Sequence, residues 1–470
     1  MGTRADSIDL LRGLAIVGMV LSGQMLWHSD LPAWLFHAQL PPPTFAFDPS
    51  VPGITWVDLV FPFFLFSMGA AFPLAMRRRL ELKGESVRSL VAGVVQRWAL
   101  LALFAIALAN LRGGVLGALP ASVAALVQLA AWCCFGALFL RLERLTGPQN
   151  RLMHACGLAG LALLAGGAKW LGGAPVSLHN SDVIILVLAN MALFGSLAWI
   201  LTRRSPVARL GIVALIVALR TGATVEGSWN EALWNWSPVP WLFRFEYLKY
   251  LCIVLPGSLA GELFWERMQR PAAAPEAPGA APTKAWAWGV GLLAALLVGV
   301  NMWSLFARHM VAGLAASIAL GLALRRLLLR DGSQTGRLCR RLFDAGLFWL
   351  LLGLCLEAYE GGIKKDHATL SYFFVTSGLA ATVLVLAETL AGRFGVRFGA
   401  LVKCGRNPMV AYTAAGFLLM PLLTLAGLAP WLQRFAELTP WTGVLRGAVV
   451  TAAVMGVTIL CTNKRLFWRT

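Results

Sequence analysis

The sequence predicts an all-α membrane protein, a polytopic helical bundle of about 12–14 transmembrane helices with N-terminus and C-terminus both cytoplasmic. Three observations predict it. The 470 residues are 58% hydrophobic and only 13% charged, where a soluble chain carries about 25% charged residues. Apolar runs of about 20 residues recur along the whole length, each long enough to span a hydrocarbon core of about 30 Å; a transmembrane barrel would show short alternating segments instead. Charge also segregates. With fourteen segments and sides alternating from a cytoplasmic N-terminus, the inner face collects 30 of the 40 Lys and Arg and the outer face 10, while the 22 acids divide 11 and 11. The inner face is then +19 and the outer face −1, the positive-inside pattern. That pattern accounts for nearly all of the formal charge of +18 and removes the case for a nucleic-acid partner.

The first segment, 8–27, begins with Asp9 and Arg12 and lacks a small-residue cleavage site, so it reads as a membrane helix and not as a cleaved signal peptide. Segments 56–76, 97–111, 115–140, 152–170, 183–201, 207–220 and 248–264 follow, then 285–306, 309–328, 341–358, 370–391, 408–428 and 441–461. Two of these, 97–111 and 207–220, are short, which is why the count runs from 12 to 14. The inner loops are short and basic, except 269–284, "QRPAAAPEAPGAAPTK", an Ala/Pro-rich flexible linker. It divides the chain into an N-terminal bundle (1–268) and a C-terminal bundle (285–470). The halves show no sequence repeat, so an inverted-repeat transporter is not indicated. The eight cysteines lie in helices or near inner loops without CxxC or Cys/His spacing, which reads as free thiols and no metal site.

Two outer loops are long, 28–55 and 221–247, and loops of that length in a compact membrane protein tend to carry function. The first has two histidines, two aspartates and no Lys or Arg. "TWVD" at its end fits a capping box, with Thr55 as N-cap and Asp58 at the third helical position. Asp58 is equally suited to orient a histidine and steady its imidazolium, and the two roles are compatible. His37 is the candidate base; with an ordinary pKa of about 6.5 it can take a proton from an amine or hydroxyl. His28 competes, although it ends a helix, where the dipole favours any cation. Pro62 and Pro73 free backbone carbonyls inside segment 56–76, which lipid does not tolerate, so this helix should border a site or a partner helix.

Weaker polar leads are Gln24 near the outer end of the first helix and the run Lys364, Lys365, Asp366, His367 before segment 370–391. Trp229, Trp234, Trp236 and Trp241 in the second outer loop either stack on sugar rings or form the interfacial aromatic belt. On the inner side, Arg406 and Asn407 precede a helix beginning near Pro408, a ready phosphate site or an ordinary positive-inside loop.

Three segments, "SIDLLRGLAIVGMV", "GITWVDLVFPFFLFSMG" and "GRNPMVAY", resemble the signature segments of the heparan-alpha-glucosaminide N-acetyltransferase family, and "LPGSLAGELF" and "LSYFFVTSGLA" are similar to its later helices. The resemblance implies transfer of an acetyl group from cytosolic acetyl-CoA to a glucosamine-type amine across the membrane. It implies that His37 and Asp58 are the catalytic pair, because the family's histidine precedes G-[IL]-T-x-x-D-L on the outer side. Two features depart from the family: 15 residues, Ala38 to Pro52, separate His37 from Gly53, and "LSGQ" ending in Gln24 stands where the family has an Asn. Segments 183–201 and 207–220 look additional to the animal enzyme's core.

The resulting expectation is an acyltransferase, with His28, Gln24, Trp229, Trp234 and Lys365 toward the sugar. Arg77, Arg78, Arg79, Lys403, Arg406 and Asn407 would hold the phosphates of acetyl-CoA, with no metal required. The acceptor is an amino sugar; alternatives are O-acetylation of a periplasmic glycan, or a secondary transporter for a sugar. Composition favours a bacterial inner membrane, and a homodimer is one option for assembly.

Overall fold

The computed structural model describes residues 5–170, 175–269 and 283–469. Each predicted segment is a helix: α1 (Asp6–Gly23), α2 (Trp56–Arg77), α3 (Val87–Asn110), α4 (Ala121–Phe139), α5 (Gly147–Trp170), α6 (Val183–Thr202), α7 (Pro206–Gly222), α8 (Leu251–Gln269), α9 (Lys284–Ala307), α10 (Met310–Leu328), α11 (Gln334–Cys355), α12 (Leu370–Phe394), α13 (Pro408–Leu425) and α14 (Pro440–Asn463). Among the described residues, eleven helices are long and apolar enough to cross a membrane. The other three are α1 and α11, which carry more charge, and α7, which has 17 residues. The protein is an all-α integral membrane bundle. Residues 270–282 of the predicted linker lie outside the described residues.

Boundaries differ from the hydropathy reading where capping chemistry decides them. α3 starts at Val87, ten residues before the predicted 97, because Ser86 Oγ accepts from the Ser89 N–H at 3.2 Å. Its first turns hold Arg88 and Gln96, which an apolar window discards. α11 likewise starts at Gln334 behind Ser333, whose hydroxyl accepts from the Gly336 N–H at 3.1 Å.

The helices form a buried centre and a lipid-facing ring. In α12, 89% of the apolar stretch is buried, and α2, α6 and α8 follow; in α5 the share is 17%. The central seam between α2 and α8 is closed by small residues. A Cβ at Gly69 would sit 2.0 Å from the Val254 carbonyl oxygen, and one at Gly257 or Gly261 would sit 2.2 Å from the carbonyl oxygens of Phe66 and Ala70. Gly257 and Gly261 lie four apart, the spacing that lets membrane helices approach backbone to backbone. Residues from both sides of the linker belong to one apolar core, from Ile8 through Phe66 and Val254 to Phe373 and Trp468. Both ends of the described chain lie together, since Arg406 reaches Asp6 and Asp9 near the start of α1, and Asn407 Nδ2 donates to the Leu466 carbonyl at 2.8 Å. The starts of α2 and α12 are at the opposite end. All eight cysteines are free.

Gly257→Val forces a branched side chain onto the α2 backbone. Overpacking of this kind costs about 1–3 kcal/mol, so the variant in detergent should unfold at a clearly lower temperature than wild type; an unchanged melting temperature would contradict the seam described.

Candidate active site

The site begins with a proline. Pro62 has no N–H, so the carbonyl four residues earlier, that of Asp58, loses its helical partner. Tyr372, in the first turn of α12, donates its hydroxyl to that carbonyl oxygen at 2.7 Å. The kink in α2 is thereby tied to the start of the most buried helix.

The Asp58 side chain is fully buried. Its Oδ2 accepts from the Thr55 N–H at 2.9 Å, the reaching-back arm of the capping box, and from the Ala38 N–H and the Thr55 hydroxyl at 3.3 Å each. The Thr55 hydroxyl also donates to the Phe36 carbonyl at 2.7 Å, which brings the chain at His37 against the start of α2. The 15 residues between His37 and Gly53 therefore do not separate the pair: they leave and return. Gln39 closes that loop, its Nε2 donating to the carbonyls of Val51 at 2.8 Å and Gly53 at 3.3 Å. Gly53 has φ +126°, and a Cβ there would lie 3.2 Å from the Leu305 carbonyl oxygen, so the turn needs glycine.

His37 is buried between two carboxylates. Its Nδ1 lies 2.5 Å from Asp58 Oδ1, close without being well aligned as a hydrogen bond. Its Nε2 donates to Asp366 Oδ2 at 2.6 Å. Lys365 Nζ stands 3.9 Å from Asp58 Oδ1. Burial lowers the His37 pKa, but the Asp366 hydrogen bond and the close contact with the Asp58 charge outweigh it and raise the pKa above 6.5, with Lys365 opposing. At Asp366 burial pushes upward, yet the His37 bond and the nearby cations hold the carboxyl below its ordinary range. The raised imidazolium contributes stability that is complete below pH 6.5 and lost as pH rises through the folded pKa. The depressed Asp366 contributes above its ordinary range and is lost as pH falls through the folded value.

Asp366 arrives on a braced loop. Gly53 N–H donates to the Ile363 carbonyl at 2.7 Å, joining the loop before α2 to the loop before α12. Glu357 pairs with Arg308 at 2.5 Å and accepts from the Ile363 N–H at 3.0 Å. Glu360 pairs with Arg220 at 2.8 Å. With the Asp366 side chain 42% exposed and His37 at 8%, Asp366 is the solvent-facing member of the group.

A second feature approaches from the opposite end. A cavity of about 360 Å³ is walled by Arg12, Arg97, Arg406 and Arg469 and runs along Met76, Phe72, Met68 and Phe64 of α2. A smaller apolar cavity of about 40 Å³ shares Phe64, Leu101 and Leu188 with it and continues to Phe61 and Tyr412. Asp58 and Met76 lie 18 residues apart on α2, about five helical turns. The carboxylate thus stands in the first turn of the helix whose later turns line the cavity. Arg97 has no carboxylate partner among the described residues, and the charged neighbour acting on it is another cation, Arg12.

Residues 4–264 match the family described as Domain of unknown function (DUF5009). The chain belongs to this family. No curated protein matches it. The DUF5009 segment contains His37, Asp58 and Arg97; Asp366, Lys365, Tyr372, Arg406 and Arg469 lie beyond it.

The structure brings together His37, Asp58 and Lys365 of the expected residues and adds Asp366. The signal for Asp366 was its place beside Lys365 in a charged run. His28 is exposed with φ +58° and packs edge-on against Phe45 at 5.1 Å. Gln24 caps α1, and its carbonyl accepts from Arg446 at 3.0 Å. Trp229 is exposed, while the buried Trp234 lies under the Arg220 guanidinium, 5.2 Å from its ring centre, and so supports the arginine that holds Glu360. At the other end, Arg406 lines the cavity, whereas Arg77 is engaged by Glu262 at 2.9 Å and Glu81 at 2.7 Å. Arg79 pairs with Glu85 at 2.7 Å, and Arg78 is exposed on the turn after α2. The Lys403 carbonyl accepts from Thr462 at 3.2 Å. Asn407 is a fully buried clamp, its Oδ1 accepting from the Trp468 N–H at 3.2 Å.

Asp58→Asn separates helix capping from ion pairing. Loss of a charge–dipole contact alone costs about 0.3–1 kcal/mol, whereas breaking a buried ion pair costs about 3–5 kcal/mol. The larger loss is expected near neutral pH by thermal unfolding in detergent, and a loss below about 1 kcal/mol would reduce Asp58 to a cap.

Proposed function

We propose that this protein is a transmembrane acetyltransferase that moves an acetyl group from cytosolic acetyl-CoA to an amino sugar of the glucosamine type on the far side of a bacterial inner membrane. One observation carries the reading. A histidine held between two carboxylates stands at the start of α2, and the later turns of the same helix border an arginine-walled cavity. Acetyl-CoA is a polyanion that cannot cross lipid, so its phosphates would stay at Arg12, Arg97, Arg406 and Arg469 while its thiol arm follows the apolar side chains of α2 outward.

The acceptor amine is mostly an ammonium ion at neutral pH. Asp366, the exposed carboxylate, is suited to receive that cation, which favours an amine over a neutral hydroxyl. As Asp366 turns to the acceptor it releases His37 Nε2, and Asp58 and Lys365 keep the ring in place through Nδ1 and the Asp58 charge. The bound ammonium first gives one proton to solvent, and neutral His37 takes a second from the resulting amine as the amine nitrogen attacks the thioester carbon. The C–S bond breaks, and the imidazolium returns a proton to the leaving thiolate.

The test is transfer from labelled acetyl-CoA to glucosamine by purified protein. His37→Ala should lose at least about 100-fold with CoA still bound. The wild-type rate should rise with pH through a midpoint above 6.5, and Asp366→Asn should move that midpoint to lower pH, because it removes a group that raises the His37 pKa. Undiminished transfer by His37→Ala would overturn the assignment of the base. A wild type that neither transfers acetyl nor binds CoA would favour a sugar transporter.

A further inference from the structure

A second, larger cavity of about 800 Å³ lies at the same end of the bundle as the arginine cavity. Its charged walls are Arg141 and Glu143 after α4, Arg151 on α5, and Arg465 and Arg469 on the C-terminal tail. Arg469 lines both cavities. The tail between them is a fixed wall. The Arg469 N–H donates to the Phe139 carbonyl at 2.9 Å, Asn407 holds Leu466 and Trp468, and the Trp468 ring lies 5.4 Å from Trp132.

Positive-inside arginines need only sit in solvent. These converge on a concavity of ligand size, with one carboxylate among them. Arg141, Arg151 and Arg465 line this cavity and have no ion-pair partner among the described residues. The two cavities also differ in kind. One is narrow, apolar along α2 and directed into the bundle; the other is wide and cationic, with the Phe467 ring in its wall.

We propose that the wide cavity binds the nucleotide end of the acyl donor, with Arg141 and Arg151 on its terminal phosphomonoester and Arg469 on the phosphates at the junction. The proposal rests on the acyltransferase reading and deepens it, since it makes the chain selective for a 3′-phosphorylated donor. Phosphomonoester recognition by guanidinium groups is charge-assisted and bidentate.

The test is binding of CoA and of 3′-dephospho-CoA to the full-length protein in detergent by calorimetry, wild type beside the Arg141→Ala/Arg151→Ala double variant. Wild type should bind CoA at least about tenfold more tightly than dephospho-CoA, a difference of about 1.4 kcal/mol. The double variant should bind both alike, at the wild-type affinity for dephospho-CoA; that retained affinity also reports an intact fold. Equal binding of the two ligands by wild type, or discrimination kept by the double variant, overturns the proposal while leaving the acyltransferase reading in place. Failure of wild type to bind either ligand overturns both. A phospholipid headgroup offers the same chemistry, so the titration is repeated in nanodiscs with and without phosphatidylglycerol. Discrimination abolished by the anionic lipid would assign the cavity to the headgroup instead.

Discussion

The structure depends on one buried carboxylate. Asp58 has no exposed surface, and an isolated charge in that position would cost several kcal/mol or more. It is tolerated because three donors converge on Oδ2 and an imidazole faces Oδ1. Those partners come from the first outer loop, and they fix where that loop must lie. His37 in turn holds Asp366, so the loop before α12 is fixed by the loop before α2. Tyr372 closes the circle by satisfying the carbonyl that Pro62 leaves free. A carboxylate and a proline four residues apart look like faults in a membrane helix, yet together they dock it to α12.

The opposite end follows a different logic. There a minority of the basic groups are neutralised by neighbouring acids, as Arg77 is by Glu262 and Arg406 by Asp6. Arg97, Arg141, Arg151, Arg465 and Arg469, which have no ion-pair partner among the described residues, line the two cavities. α2 spans both regions. Its glycine seam with α8 leaves Phe64, Met68 and Phe72 of α2 to line the cavity.

Hydropathy and loop charge were enough to place the helices, because each membrane span is a local property of about 20 residues. The Asp58–His37 pairing was also within reach, since Thr55 and Asp58 are three residues apart and His37 lies in the adjoining loop. Asp366 was not, because its contact with His37 joins positions 329 residues apart. Its run of charges looked like many outer loops. Arg97 was missed for a related reason: it falls where the apolar window begins, while the helix begins at its Ser86 cap. Nor could spacing indicate that the C-terminal tail walls two cavities, since Asn407 fixes it from 59 and 61 residues away.

The central claim is that His37 is an imidazolium clasped by Asp58 and Asp366, and that this clasp sets its proton affinity. The most direct measurement is ¹⁵N NMR of histidine-labelled protein across pH, with His37→Gln to assign the resonance and Asp366→Asn beside wild type. Both ring nitrogens should stay protonated to a pH above 6.5 in wild type, and the transition should fall in the Asp366 variant. A His37 already neutral at pH 6.5, with a titration that the Asp366 variant leaves unmoved, would contradict the account.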